Sequence, residues 1–203
     1  MSDRKGMPGL TAMDHIGLVV PDMKEAIAFF GDVIGCDFIY SGGSMKDDNG
    51  TFMQDKMNIH PRANMKEVVF MRCGNGSNIE LFDFEAPNQK RVYPRNSDIG
   101  GYHLCFYVEN IEAAADYLTG KGVKVFDRPE LEKQGPGAGE SWVYFEAPWG
   151  LQMELISYPN GKAYETDAPK LLWKPGSLAD PRSIWGTKYS RDNREQWSSL
   201  HRS

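Results

Sequence analysis

The sequence is poor in the features that cross-link a chain or anchor it in a membrane. Only three cysteines occur among 203 residues, and none belongs to a C-x-x-C pair. An odd, widely spaced set argues against both a disulfide framework and a zinc knuckle. No run of about 18 apolar residues is present, and the N-terminal MSDRKGMPGLTAMD has no apolar stretch, so we expect neither a membrane span nor a secretory signal. We therefore predict that Cys36, Cys73 and Cys105 are free core residues of a cytoplasmic protein.

An excess of basic residues is also missing. The 23 Lys and Arg residues are outnumbered by 28 Asp and Glu residues, which gives a net charge of −5. Nucleic-acid-binding proteins usually have a basic face, so this balance argues against that class. Hydrophobic residues make up 40% and charged residues 25% of the chain, as in globular proteins. The length suits one ordinary domain or two small fused ones.

An internal repeat organises the sequence. The segment 14–30, DHIGLVVPDMKEAIAFF, aligns with 102–118, YHLCFYVENIEAAADYL, so that His15 falls on His103. A second pair of segments, containing NIELFDF and LQMELISY, aligns so that Glu80 falls on Glu154. In the first copy, more residues separate the histidine-containing segment from the glutamate-containing segment than in the second copy. The extra residues fall in about 42–65. Such self-similarity predicts two copies of one supersecondary unit.

Hydrophobic periodicity predicts the same elements in each copy. Asp22 is a typical helix N-cap and Gly35 a typical stop, which predicts a helix over 23–34; its counterpart is 111–120. Alternating and β-branched residues predict strands over 14–20, 36–41, 66–73 and 77–84, and over 102–108, 122–127, 141–146 and 151–157.

Each copy is thus predicted to be a βαβββ module in an α+β protein. We expect a first module at 12–86, a second at 98–160, and a tail at 161–203. The tail carries Trp173, Trp185 and Trp197, which predicts docking on the core or on a partner subunit. Because exposed sheet edges need cover, we also expect a homodimer.

Four polar residues interrupt these apolar strands at matching positions of the two copies: His15, Glu80, His103 and Glu154. A lone histidine is more often a satisfied core residue, and a lone glutamate is more often an exposed strand position. Two matched pairs are different, because an ionised carboxylate in a strand core is costly unless it is paired or bound to a metal. Two imidazoles and two carboxylates suit a borderline divalent ion. The pattern therefore predicts a metal site.

These segments resemble the vicinal oxygen chelate superfamily, which includes glyoxalase I, methylmalonyl-CoA epimerase, extradiol dioxygenases, and fosfomycin and bleomycin resistance proteins. The resemblance covers about residues 12–158. It implies two modules that form a curved mixed sheet around one divalent ion: Ni, Co, Zn, Mn or Fe. By position, the implied ligands are His15, Glu80, His103 and Glu154.

The ligand set is most similar to that of bacterial glyoxalase I, because a fourth ligand at Glu80 would crowd the dioxygenase arrangement. The resemblance implies a lyase, isomerase or epimerase, including one for sugar- or cyclitol-like compounds. In that chemistry the metal polarises an oxygen and a glutamate removes the neighbouring proton, giving an enediolate. Glu154 is the first candidate base and Glu80 the second. An Fe(II) dioxygenase and a non-catalytic binding or resistance protein are the alternatives.

Four further residues are candidates for binding a small-molecule substrate: Tyr107, Trp149, His60 and Arg62. The first two are aromatic residues that either wall the pocket or belong to the core. His60 and Arg62 lie in the long stretch of the first copy, where they either bind an anionic group or form part of a solvated loop.

Overall fold

The computed structural model describes residues 6–10 and 12–175 of the chain, and the predicted α+β class is confirmed. In chain order the elements are β1 (His15–Val20), α1 (Met23–Ala28), a π-helix (Phe29–Ile34), β2 (Asp37–Lys46), α2 (Phe52–Met57), β3 (Asn64–Arg72), β4 (Asn78–Glu85), β5 (Leu104–Tyr107), α3 (Ile111–Gly120), β6 (Lys124–Val125), β7 (Glu130–Leu131), β8 (Ser141–Glu146), β9 (Gln152–Ser157) and a 3-10 helix (Ala163–Thr166).

The strands form two mixed sheets of related topology. The first sheet has the order β1-β4-β3-β2, with β1 parallel to β4 and the other pairs antiparallel. The second sheet has the order β5-β9-β8-β6, with β7 also paired to β8 and with β5 parallel to β9. In both sheets, therefore, the first and last strands of a repeat are neighbours. This arrangement brings the strand ends that carry histidine and glutamate together.

The first helix begins at the cap that the sequence predicts. The Asp22 carboxylate accepts a hydrogen bond from the backbone N–H of Glu25 at 2.8 Å, and Asn110 caps α3 in the same way. The first helix does not continue as one α-helix to residue 34, because its second half winds as a π-helix. Gly35 ends it with φ of +91°, a conformation that favours glycine.

One large core joins the two sheets through their helix-bearing faces. It contains Leu18 and Leu81 from the first sheet and Phe145 and Met153 from the second, all at most 1% exposed. The alternation predicted for β1 is confirmed, since Leu18 and Val20 are buried while His15 is exposed. Each sheet consequently turns its other face, which we call its His face, away from the shared core.

A second, smaller core covers part of the His face of the first sheet. Met53 of α2 is fully buried there with Met65 and Phe84. The Arg62 guanidinium donates hydrogen bonds to the backbone carbonyls of Asp47 and Gly50 and so braces the loop before α2. The extra residues of the first copy therefore form a packed helical cover.

The expectation of three free core cysteines is wrong. Cys36 and Cys73 form a disulfide with their Cα atoms 4.2 Å apart. Asp37 and Arg72 are the last paired residues at one end of the β2–β3 ladder. Cys36 and Cys73 are the residues that follow at this end, and so they lie opposite each other. Cys105 is free, but it is exposed on the His face of the second sheet.

The chain after the second sheet packs back onto it. The backbone N–H groups of Ala163 and Tyr164 donate to the carbonyls of Ala138 and Pro136, at 2.9 and 3.0 Å. Trp173 lies beside Gly76 of the β3–β4 turn and is more than half exposed. Trp185 and Trp197 lie outside the described residues. Across 6–10 and 12–175, no helix is long and apolar enough to cross a membrane.

Candidate active site

Each sheet carries one histidine–glutamate pair on its His face. His15 Nε2 lies 3.1 Å from Glu80 Oε2, and His103 Nε2 lies 2.9 Å from Glu154 Oε2. We call these the first pair and the second pair. The Glu80 and Glu154 side chains are only 19% and 14% exposed, whereas both imidazoles are about one-third exposed. Each pair therefore presents an open imidazole edge beside a sheltered carboxylate.

The structure groups the four predicted ligands as two separate pairs, His15 with Glu80 and His103 with Glu154. Among the described residues, no group of three or more His, Cys, Asp and Glu side chains is placed to hold one metal ion. The reason is the packing of the sheets, because each pair lies on the face that points away from the shared core. One chain thus holds two separate histidine–glutamate pairs.

The chemistry and spacing of each pair fit a divalent ion. Two ligand atoms bound to one ion at about 2.1 Å and at right angles lie about 3.0 Å apart, close to the separations observed. Asp14 Oδ2 also lies 2.7 Å from His15 Nδ1, the type of outer contact that orients a metal-binding imidazole. The hydrogen bond with Asp14, followed by the charge of Glu80, raises the pKa of His15 above its ordinary value of 6.5.

Small and apolar groups surround the first pair. Gly17 lies opposite Glu80 in the β1–β4 ladder, and a Cβ atom placed there would come within 3.4 Å of the Phe82 ring. Phe70 lies opposite Glu80 on the other side, and its ring makes an edge contact with His15, with ring centres 5.7 Å apart. The strand partners of Glu80 are thus a glycine and a phenylalanine, and His15 is its ion-pair partner.

Polar groups surround the second pair. Cys105 and Tyr144 lie opposite Glu154 on its two neighbouring strands. Cys105 is exposed as a residue, but partial loss of hydration at its sulfur, followed by the charge of Glu154 and a hydrogen bond with Glu154, raises the pKa of the thiol to about 12. Burial and the Glu154 charge also raise the pKa of Tyr144. At neutral pH, Glu154 therefore has an uncharged thiol and an uncharged phenol beside it.

The predicted substrate-binding aromatic residues lie in different places. Tyr107 is on the His face of the second sheet, and its ring makes an edge contact with Tyr158, with centres 4.9 Å apart. Trp149 packs instead against Phe29 and Phe30 in the shared core. Of the two, only Tyr107 lies beside a histidine–glutamate pair.

His60 and Arg62 both take part in the cover of the first sheet. The backbone N–H of Arg62 donates to His60 Nδ1 at 3.1 Å, while the Arg62 guanidinium is bound to backbone carbonyls. These contacts give Arg62 a bracing role in the inserted stretch.

Four neighbours of the pairs were not singled out from the sequence: Asp14, Cys105, Tyr144 and Lys162. Alternation alone places Cys105 on the same face as His103, so that signal was available. Tyr144 requires the register of β8 against β9, and Lys162 lies beyond the repeat. The Lys162 ammonium pairs with Glu140 Oε2 and lies 4.4 Å from the centre of the Tyr158 ring.

Comparison with known proteins gives one family. The sequence profile of the Glyoxalase/Bleomycin resistance protein/Dioxygenase superfamily matches residues 14–157. A 2-epi-5-epi-valiolone epimerase from Actinomyces sp is 41% identical over 180 residues, which cover 88% of this chain and 97% of that protein.

Two crystal structures show the same fold. A glyoxalase family protein from Bacillus cereus superposes with a TM-score of 0.57 at 22% identity, over 75% of this chain and 98% of that one. A glyoxylase/bleomycin resistance protein/dioxygenase domain from Frankia sp. EAN1pec superposes with a TM-score of 0.51 at 14% identity, over 74% and 99% of the chains.

Proposed function

The chain belongs to the glyoxalase/bleomycin resistance protein/dioxygenase superfamily, and from that premise we propose that it is an epimerase of a small oxygenated ketone such as 2-epi-5-epi-valiolone. The observation that carries the proposal is 41% identity to an epimerase over 97% of that protein's length. The sheltered carboxylate of Glu154 beside His103 supports it, because inversion at a carbon next to a carbonyl needs a base.

The proposed reaction is a proton transfer on carbon. Glu154 takes the proton from the carbon next to the carbonyl. The electron pair of the broken C–H bond forms a carbon–carbon double bond, and the π pair of the carbonyl moves onto its oxygen. Glu80, the second candidate base, then gives a proton that it already carries to the opposite side of the same carbon, and the carbonyl forms again. Exchange with solvent afterwards removes the proton from Glu154 and restores one to Glu80. No electrons are gained or lost, so the reaction needs no redox cofactor.

The environment of Glu154 suits this role. The carboxylate is 14% exposed, so few water molecules compete with a substrate for its proton-accepting oxygen. Cys105 and Tyr144 stay protonated beside it because its negative charge raises the pKa of both groups, and the Cys105 thiol donates a hydrogen bond to it. A divalent ion held by the two histidines and two glutamates would supply Lewis acidity at the carbonyl oxygen.

We further propose that the complete centre contains the first pair of one copy and the second pair of another. Catalytic metal sites usually have three or more protein ligands, and one pair provides two. A two-fold dimer that joins unlike pairs forms two equivalent centres and turns both His faces inward. This arrangement explains why one chain holds its ligands on separate sheets.

Proton transfer is tested in heavy water with 2-epi-5-epi-valiolone as the probe. The wild-type protein should interconvert the ketone and its epimer and place solvent deuterium on the inverted carbon, as followed by NMR. Glu154→Gln should slow this exchange by about 10²–10⁴-fold while metal content changes less, because an amide oxygen still coordinates. Glu80→Gln is the matched variant in the other pair.

Two results would change the proposal. Loss of exchange in Glu80→Gln with exchange spared in Glu154→Gln would move the first base to the first pair. Failure of the wild-type protein to interconvert the ketone with any of Ni, Co, Zn, Mn or Fe(II) would reject the epimerase. Consumption of dioxygen during turnover would favour the dioxygenase instead.

The shared centre is tested by mixing two inactive variants. His15→Ala and His103→Ala should each inactivate the protein, since each removes a ligand from both centres of a dimer. A mixed dimer of the two would contain one centre with both histidines. After unfolding and refolding together, random pairing should restore about a quarter of wild-type activity. Activity that stays at the level of the separate variants would place each centre within one chain.

A further inference from the structure

The two His faces differ in polarity at the positions that the repeat matches. Both faces have a histidine and a glutamate in the same register, so the comparison can be made residue by residue. One matched position, Phe82 and Ile156, is apolar on both faces. At five others the first sheet has a small or apolar residue and the second a thiol, hydroxyl or indole group: Gly17, Val19, Val68, Phe70 and Phe84 against Cys105, Tyr107, Trp142, Tyr144 and Tyr158. Val68 and Phe84 are buried under α2, so the open part of the first His face is formed by Gly17, Val19 and Phe70.

A sheltered ion pair adds charge to the polar face. The side chains of Lys162 and Glu140 are only 14% and 20% exposed. The Lys162 ammonium lies over the ring of Tyr158, which in turn contacts Tyr107. Tyr107 lies on the same face of β5 as His103, so these ring contacts place the ion pair at the border of the His face of the second sheet.

Stability alone does not account for this ion pair. Two charges taken out of water lose hydration, and apolar replacements for such pairs are often as stable or more so. The loop and segment that carry the two residues are already joined by backbone hydrogen bonds from Ala163 and Tyr164. Lys162 and Glu140 also line a cavity of about 490 Å³, together with Pro136, Gly137, Tyr164 and residues 170–172, so the ion pair is not sealed off by packing.

We propose that Lys162 and Glu140, together with the phenols of Tyr107 and Tyr158, bind the hydroxyl groups of the substrate and restrict it to polyhydroxylated ketones. This inference rests on the proposed epimerase and names its substrate class. An ammonium donates hydrogen bonds, a carboxylate accepts them and a phenol does both, which complements neighbouring hydroxyls on a ring. The apolar face of the first sheet would pack against the carbon side of the same ring.

The test compares two ketones that differ in hydroxyl content. Wild-type protein should prefer 2-epi-5-epi-valiolone over 2-hydroxycyclohexanone in kcat/KM for deuterium exchange. Lys162→Met should lower kcat/KM for the first ketone by about 10- to 100-fold, mainly through KM, and leave that for the second within about 2-fold. Lys162→Arg should recover part of the preference, because it keeps the charge.

Lys124→Met is the matched control. Lys124 is also a paired lysine of the second sheet, 2.9 Å from Glu146, but its side chain is 63% exposed and its Nζ lies over Phe126. This variant should keep the wild-type preference for the hydroxyl-rich ketone. A preference lost equally in both variants would overturn the inference.

A double variant guards against misfolding. Lys162→Met leaves the Glu140 carboxylate without its cation, which destabilises the fold. Lys162→Met with Glu140→Gln removes both charges and should regain wild-type thermal stability, yet it should still lose the preference between ketones. An unchanged preference in the folded double variant would overturn the inference.

A non-reacting ligand separates this inference from the proposed reaction. Myo-inositol has no carbonyl group, and its binding can be followed by saturation-transfer NMR. If wild-type protein fails to epimerise the ketone but binds inositol, and Lys162→Met does not, hydroxyl recognition stands and the epimerase is rejected. If Lys162→Met epimerises both ketones with the wild-type ratio, the epimerase stands and hydroxyl recognition is rejected.

Discussion

Reduction of the Cys36–Cys73 disulfide should destabilise the protein without unfolding it. The bond joins residues 37 apart in sequence. For a closed loop of that length, the chain-entropy relation gives about 3.8 kcal/mol of stabilisation at 25 °C. For a chain of this size, 1 kcal/mol corresponds to about 2–4 °C in Tm, so reduction should lower Tm by about 8–15 °C.

The assay is urea denaturation of the protein with and without a phosphine reductant. Cys36→Ala with Cys73→Ala should match the reduced protein and be insensitive to the reductant, while Cys105→Ser should keep the full reductant effect. Thiol titration of the unfolded, unreduced chain should find one thiol, that of Cys105. Three thiols, or equal stability of the oxidised and reduced forms, would refute the reasoning.

Three other predictions concern the fold and the first pair. Tyr93 donates a hydrogen bond to the Val19 carbonyl, and burial raises the pKa of its phenol to about 12. The free energy of unfolding should therefore fall as the pH rises from 10 towards 12. Tyr93→Phe should remove that decline, as measured by urea denaturation at each pH. Met53→Ala should cost about 2 kcal/mol or more, whereas Met57→Ala, in the same helix but exposed, should change the free energy of unfolding by less than about 0.5 kcal/mol. Asp14→Asn should weaken zinc binding by about 10- to 100-fold in calorimetry, and unchanged affinity would remove Asp14 from the site.

Most of the secondary structure and the pairing of the candidate ligands could be predicted from the internal repeat. Because side chains alternate along strands, the alignment of His15 with His103 and of Glu80 with Glu154 was enough to predict their shared register. The helix over 111–120 and the strand over 141–146 have the predicted bounds. These features depend on local periodicity, which a single sequence records directly.

Other features depend on contacts between distant parts of the chain. The disulfide follows from the β2–β3 register, which contains bulges that no sequence pattern specifies. The helix α2 is only six residues long, too short to be stable alone, and it depends on the burial of Met53. The packing of both sheets on one core, which separates the two pairs, is likewise a property of side-chain fit.

Lys162 is a residue that the internal repeat could not identify. It lies beyond the last strand and has no counterpart in the first copy. Alignment of the two copies therefore cannot identify it as a candidate residue. The contacts of its ammonium with Glu140 and Tyr158 form only because the segment after β9 folds back onto the second sheet.

The unequal polarity of the two His faces has a consequence for regiochemistry. A ring ketone has two carbons that flank its carbonyl, and turning the ring over exchanges them. Between two identical faces, both orientations would bind equally, and either carbon would reach Glu154. In the proposed shared centre, one face has Tyr107 and Lys162 where the other has Val19 and Phe70, so the flipped ring would leave hydroxyls against apolar side chains. Each hydrogen bond lost to a charged group costs about 1.5–3 kcal/mol, which is enough to make one of the two carbons the reacting one.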